Sequence, residues 1–230
     1  MTIGGLTWDD TGNRYYYTGI DGVALFVWDE VNNWYHNRTA WNGVTAINEN
    51  PSGAESNKLY ADNIEYLNLL SKEEFGLTLE CYNVPEAFDA CDGIYGADGF
   101  GSTMGPRKPF GLVYRVQKGS DTTNAGELGY VYHVVYGCKA SPSSKDHSTV
   151  NDSPEAQTFS YEITTTATSS YPGSDMVGAY GGFSPFVHLE IDDTSLTAYQ
   201  KEVMARVLYA RDNGRMPYPG EIAVAASATE

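Results

Sequence analysis

Residues Thr39 to Gly93, TAWNGVTAINENPSGAESNKLYADNIEYLNLLSKEEFGLTLECYNVPEAFDACDG, decide the fold. Apolar side chains recur here with a period of two, the mark of half-buried β-strands. Phe75, Leu77, Leu79 and Cys81 alternate with Gly76, Thr78, Glu80 and Tyr82, so one face enters a core and the other meets solvent or a neighbour. Nothing in the stretch carries catalytic chemistry. It reads as a building block.

The same period continues outward. Phe110, Leu112, Tyr114 and Val116 alternate, as do Phe159, Tyr161 and Ile163, and then Val187, Leu189 and Ile191 against His188 and Glu190. Leu128 to Tyr136 is apolar or aromatic on both faces, which suits a central strand or one covered by a partner. The expected fold is mainly β, a β-sandwich or half-open barrel of antiparallel sheets. One helix interrupts it. Thr197 and Gln200 have capping-box spacing, and Leu196, Val203, Met204, Val207 and Leu208 share a helical face, which predicts a flanking helix at about 197–211. RMPYPGEIAVAASATE follows with two prolines and no periodicity. A single domain over 1–211 with an N-terminal arm, and an extended C-terminal arm over 212–230, is therefore expected. Two connections, Asn83 to Lys108 and Lys139 to Glu155, are too long for ordinary hairpin turns. Connections of that length are disordered or functional.

Composition excludes several function classes. The 230 residues, 41% hydrophobic and 13% aromatic, suffice for one substantial core. Fourteen Lys plus Arg against thirty Asp plus Glu give a net charge of -16, which argues against holding nucleic acid by phosphate neutralisation. No apolar run reaches the roughly 18 residues of a membrane span. MTIGGLTWDD lacks a basic and an apolar region, so no secretory signal is expected and the chain should mature in the cytoplasm.

The search for chemistry finds no constellation. Cys81, Cys91 and Cys138 fall into no ligand spacing and are expected as free, mostly buried thiols; a Cys81–Cys91 disulfide is the alternative. His36, His133, His147 and His188 are scattered along the chain, so no metal site is expected. Gly99, Gly101 and Gly105 mimic a dinucleotide loop with the wrong spacing and no following helix. Glu73 with Glu74 and Asp192 with Asp193 are adjacent pairs that should point to opposite faces as solvated charge. No catalytic residue and no cofactor is expected. Eighteen tyrosines offer large amphipathic surfaces for a core, an interface or sugar stacking.

The wording of Thr39 to Gly93 also resembles the major tail (tail-tube) proteins of long, non-contractile-tailed bacteriophages. A W-N-G-hydrophobic opening at Trp41, P-x-G-A-E at Pro51, K-L-Y-A-D-N-I-x-Y-L-N-L at Lys58, E-E-F-G at Glu73 and P-x-x-F-x-x-C-D-G at Pro85 follow in the family's order. TGNRYYYTGIDGVALF from Thr11, RKPFGLVYR from Arg107, YHVVYGCKASPS from Tyr132 and STVNDSPEAQTFSYEITTT from Ser148 extend the likeness over most of residues 11–167. The resemblance implies a tail-tube fold and a non-enzymatic virion protein assembled in the host bacterial cytoplasm. It further implies homo-oligomeric, hexameric rings stacked into a tube through which DNA passes without specific binding. Tape-measure, tail-terminator and tail-tip proteins are the implied partners. A long loop reaching the next ring is implied too, and Asp92, Gly93, Tyr95, Asp98, Phe100, Met104 and Arg107 are its candidate contacts. An aromatic-rich carbohydrate-binding or adhesion module is the alternative function.

Overall fold

The structure, a computed structural model, describes residues 2–3, 6–8, 10–97, 100–145, 149, 156–167, 186–209 and 214–229. After a short pair, β1 (Thr2–Ile3) with β2 (Leu6–Thr7), the body is one antiparallel sheet folded into a sandwich. Its strands run in the order β4 (Trp34–Ala40), β3 (Tyr15–Asp29), β11 (Phe110–Ser120), β12 (Gly129–Ala140), β13 (Phe159–Thr165), β8 (Gly76–Cys81), β5 (Val44–Glu49). The strands numbered β6, β7, β9 and β10 lie outside this sheet and are given below.

The fold turns on β12. Its first half, Val131 to Val135, pairs with β14 (His188–Asp192), whereas Cys138 to Ala140 pair with β13. One strand therefore contributes to both layers, and the fork lies at Gly137. That residue has φ +68, and a Cβ there would collide with the Thr166 carbonyl oxygen. The Gly137 N–H is taken by the Tyr35 hydroxyl (2.9 Å) and its carbonyl by the Thr166 N–H (3.0 Å), so the switch leaves its backbone groups satisfied.

Alternation along β3, β11 and β12 builds two cores. Val23, Leu25, Val27, Phe110, Leu112 and Tyr114 face Leu77, Leu79, Cys81, Tyr161 and Ile163 of the second sheet. Ala24, Phe26, Val113, Tyr132, Val134 and Tyr136 face the other way, toward helices. This is why Leu128 to Tyr136 is apolar on both faces: the central layer is covered twice by its own chain. All three cysteines are free and buried, as the odd count suggests.

The predicted helix is α2 (Ala198–Tyr209), with residues 210–213 outside those described. Its capping box is reciprocal: the Thr197 N–H donates to Gln200 Oε1 (2.9 Å) and the Gln200 N–H to Thr197 Oγ1 (3.2 Å). Met204 and Leu208 are fully buried against the sheet.

The expected C-terminal arm is corrected by a second packed helix, α3 (Pro219–Ala226). Pro219 starts it where a missing N–H costs nothing, and the Glu221 carboxylate accepts the Tyr218 N–H (2.8 Å). Ile222 and Ala225 are buried beside α2. The segment before it lies along β4, with the Arg38 N–H on Gly214 O (3.2 Å) and the Met216 N–H on Tyr35 O (3.0 Å). Trp34 Nε1 and the Tyr136 hydroxyl donate to the carbonyls of Met216 (2.9 Å) and Pro217 (3.0 Å). These bonds hold the lead-in to α3 against the core; an arm detached from the core would leave the indole and phenol without those partners.

Asp192 and Asp193 also depart from the solvated reading. Asp192 pairs with Lys118 and caps the turn that follows through the Thr194 N–H (2.9 Å), while Asp193 is buried and accepts the Tyr130 N–H (2.8 Å). A helical turn after β14 replaces the extended backbone that the alternation argument assumed.

Candidate functional site

Between β5 and β8 the chain leaves the sandwich. β6 (Ser56–Ala61) and β7 (Ile64–Leu70) pair with each other, and every residue of both is exposed. Asp62 (φ 52) and Asn63 (φ 65) form the tip, the two positive-φ positions that a tight hairpin turn requires. The Glu55 N–H donates to Ser71 Oγ and the Ser71 N–H to Glu55 O, both at 2.9 Å, and these bonds close the base. A β-bulge at Tyr66 brings Ile64 onto the same face as Leu59, Leu67 and Leu69, while Leu70 and Tyr60 lie on the other face with the Lys58–Glu65 ion pair and the Ser56–Asn68 hydrogen bond. Tyr66 is 73% and Leu70 71% exposed. A lone two-stranded hairpin is marginal in water, and one that exposes an apolar face of Leu59, Ile64, Leu67 and Leu69 beside two open edges is a surface suited to being covered.

The connection from Asn83 to Lys108 divides into an anchor and a tip. After a helical turn at Glu86–Phe88, α1 (Asp89–Asp92) sets Phe88 among Trp41 (4.6 Å), Tyr161 (5.0 Å) and Phe110 (5.3 Å), ring centre to ring centre. Of the seven predicted contact residues, Asp92, Gly93 and Arg107 lie in the anchor. Asp92 is buried and pairs with Arg107 (3.1 Å) and Lys145 (3.0 Å), and Arg107 also donates to Ala140 O (3.1 Å). Tyr95 begins the small hairpin of β9 (Tyr95–Ala97) and β10 (Phe100–Ser102), its hydroxyl turned back onto the Pro106 carbonyl. Phe100 and Met104 face solvent, Met104 at 95%. Asp98 lies outside the described residues.

The sequence reading missed the hairpin at 56–70 as a surface. The signal available was an Asp-Asn pair between two apolar runs, with hydrophobic residues at both parities of β7. The bulge at Tyr66 switches the parity and gathers Ile64, Leu67 and Leu69 onto one face, which has no cover of its own.

It also missed a polar cluster. Two of the four histidines, distant in sequence, meet beside a carboxylate at the end of β5. Glu49 Oε1 accepts the Tyr114 hydroxyl (2.6 Å) and lies 3.2 Å from His133 Nδ1, which lies 3.0 Å from His188 Nε2. The Tyr114 ring lies parallel to His133 (4.8 Å, 4°), and Phe75 packs on His188 (4.6 Å, 22°). The His133 side chain is 12% exposed and that of Glu49 34%. The hydrogen bond with His133 holds the Glu49 carboxyl down to about 2, and burial pushes His188 below the usual imidazole range. Glu49 and His133 line a cleft of about 940 Å³ at one end of the sandwich, with Tyr17, Ile47, Val116 and Glu190.

Among the described residues, no helix is long and apolar enough to cross a membrane. No family model matches the chain, and no curated protein matches it. Among solved structures, a chain of the 6-fold symmetrised cryo-EM structure of the anti-feeding prophage baseplate aligns with 70% of this chain and 94% of its own length. The identity is 8% and the TM-score 0.31, a likeness that carries no argument for this protein.

Proposed function

We propose that the protein is the tail-tube subunit of a long, non-contractile-tailed bacteriophage, a structural virion protein without enzymatic activity. Six copies close head to tail into a ring, and rings stack into the conduit for DNA ejection. The observation that carries this reading is the hairpin at 56–70, fully exposed with an apolar face of Leu59, Ile64, Leu67 and Leu69, within the same stretch whose motif order resembles that family. A closing heterologous contact gives a ring and a non-closing one an open stack, so a chain with two projecting hairpins has a surface for each. The larger hairpin adds its edges to the neighbouring subunit within the ring, and the tip around Phe100 and Met104 reaches the next ring. The net charge of -16 lets phosphates pass without adhering. Tape-measure, terminator and tail-tip proteins bind the finished ends, and assembly takes place in the host cytoplasm.

Electron microscopy of the purified protein at high concentration tests the reading, with rings or tubes as the expected result. Monomers at every concentration and salt, stabilised by added saccharides, would overturn it in favour of a carbohydrate-binding module.

A further inference from the structure

We propose that Glu49, His133 and His188 form a binding site for a divalent transition-metal ion of the zinc class. Each ligand comes from a different strand: β5, β12 and β14. β14 is locked to β12 by the pairings Val135 with His188 and His133 with Glu190. One carboxylate oxygen and two imidazole nitrogens suit zinc and its neighbours, and these three atoms all lie within 4.8 Å of one another. An ion held tetrahedrally at about 2.0–2.1 Å keeps its ligand atoms about 3.3 Å apart. His133 Nδ1 already lies 3.0 Å from His188 Nε2 and 3.2 Å from Glu49 Oε1, and drawing the Glu49 and His188 ligand atoms, which lie within 4.8 Å of each other, to that spacing completes the site.

A proton serves this cluster less well than a cation does. With hydrogen on Nδ1, His133 donates to Glu49 and divides that one hydrogen with His188 Nε2. Without it, His133 Nδ1 accepts from His188 and turns a lone pair toward the carboxylate. One hydrogen cannot serve three lone-pair atoms fully, whereas a metal ion satisfies all three at once. Supporting contacts are in place. The Tyr114 hydroxyl orients the carboxylate at 2.6 Å, and the rings of Tyr114 and Phe75 fix the two imidazoles. The cleft beside Glu49 and His133 gives an entry path and room for a fourth, water ligand. Such an ion clips β5, on one sheet, to β12 and β14 on the other, and so raises the stability of the sandwich by mass action. None of this depends on whether the chain builds tubes.

The test is calorimetric titration of chelator-treated protein with Zn(II), paired with the visible ligand-field spectrum of the Co(II)-loaded protein. One ion per chain is expected, with a tetrahedral Co(II) band and a rise in Tm on Zn(II) addition. His188→Ala and Glu49→Gln each lower the affinity tenfold or more and abolish the band, and Tyr114→Phe weakens binding about tenfold. His36→Ala, outside the cluster, leaves both unchanged. Glu49→Gln keeps the test decisive if a histidine variant fails to fold, because Glu49 lies at a partly exposed strand end. Absence of a tetrahedral Co(II) band, or equal Zn(II) affinity in wild type and Glu49→Gln, would overturn the proposal.

Discussion

Replacing residues 56–70 with a two-residue Gly-Ser turn separates folding from assembly. The base of the hairpin is already closed by the pair of 2.9 Å bonds between Glu55 and Ser71, so a short turn joins them without strain. No side chain in the excised segment is buried, so the unfolding free energy should move by less than about 0.5 kcal/mol, as for surface changes. Association behaves differently. Leu59, Tyr60, Ile64, Tyr66, Leu67, Leu69 and Leu70 are 42–73% exposed. Full burial of such side chains is worth about 1.5–3 kcal/mol each, so about 1 kcal/mol per residue remains to be gained at an interface. Leu70→Ser alone should therefore weaken association about fivefold, and excision of the hairpin a thousandfold or more. Urea unfolding measures the first quantity, and sedimentation velocity with electron microscopy the second. Rings or tubes from the excised variant at wild-type concentration would refute the reasoning, as would a loss of several degrees in Tm.

Gly137→Ala forces a side chain onto φ +68 and against the Thr166 carbonyl, so a loss of about 2–3 kcal/mol is expected in urea titration. Ile222→Ala, in the buried face of α3, should cost about 2–5 kcal/mol by the same measurement, whereas a frayed terminus would show no change. Burial pushes the Cys91 thiol up to about 12, and all three cysteines are buried, so a disulfide reagent at neutral pH should find no reactive thiol until the chain unfolds and then three. Burial by itself raises the Asp192 carboxyl, but hydrogen bonds from Lys118 and Thr194 hold it below its ordinary value. Its contribution to stability is thus full above about pH 4 and is lost as pH falls through the lowered folded value, a limb that Asp192→Asn should flatten in pH-dependent unfolding.

The β architecture was legible because alternation is a local property. Phe75 to Cys81 and Phe159 to Ile163 alternate in sequence, and they pair as β8 and β13 with Leu79 opposite Tyr161. The capping box at Thr197 was legible for the same reason. α3 was not, because Met216 to Pro219 reads as a broken arm when two prolines are weighed as helix breakers. In place, Pro219 opens the helix and Pro217 offers a carbonyl to Tyr136, a contact between residues far apart in sequence. Trp34 and Tyr136 hold the non-helical lead-in at Met216 and Pro217, and Ile222 and Ala225 then bury the helix against the core, long-range contacts that no local pattern reveals.

The two surfaces separate along the same line. Hydrophobic residues at both parities of β7 are visible in the sequence, and so is the Asp62-Asn63 turn; the bulge at Tyr66, which gathers Ile64, Leu67 and Leu69 onto one exposed face, is not. The histidine cluster could not be found that way. Alternation says that His133 shares a face with Tyr132's neighbours Val131 and Val135, and that His188 shares one with Glu190, but it does not set one strand against another. Only the register of β12 on β14 brings His133 beside His188, and only the folding of the sheet at Gly137 carries the end of β5 over both. A ligand set assembled by register and by a sheet fork has no spacing in sequence. A scan for ligand spacing therefore passes over sites of this kind, and pairing registers are needed to find them.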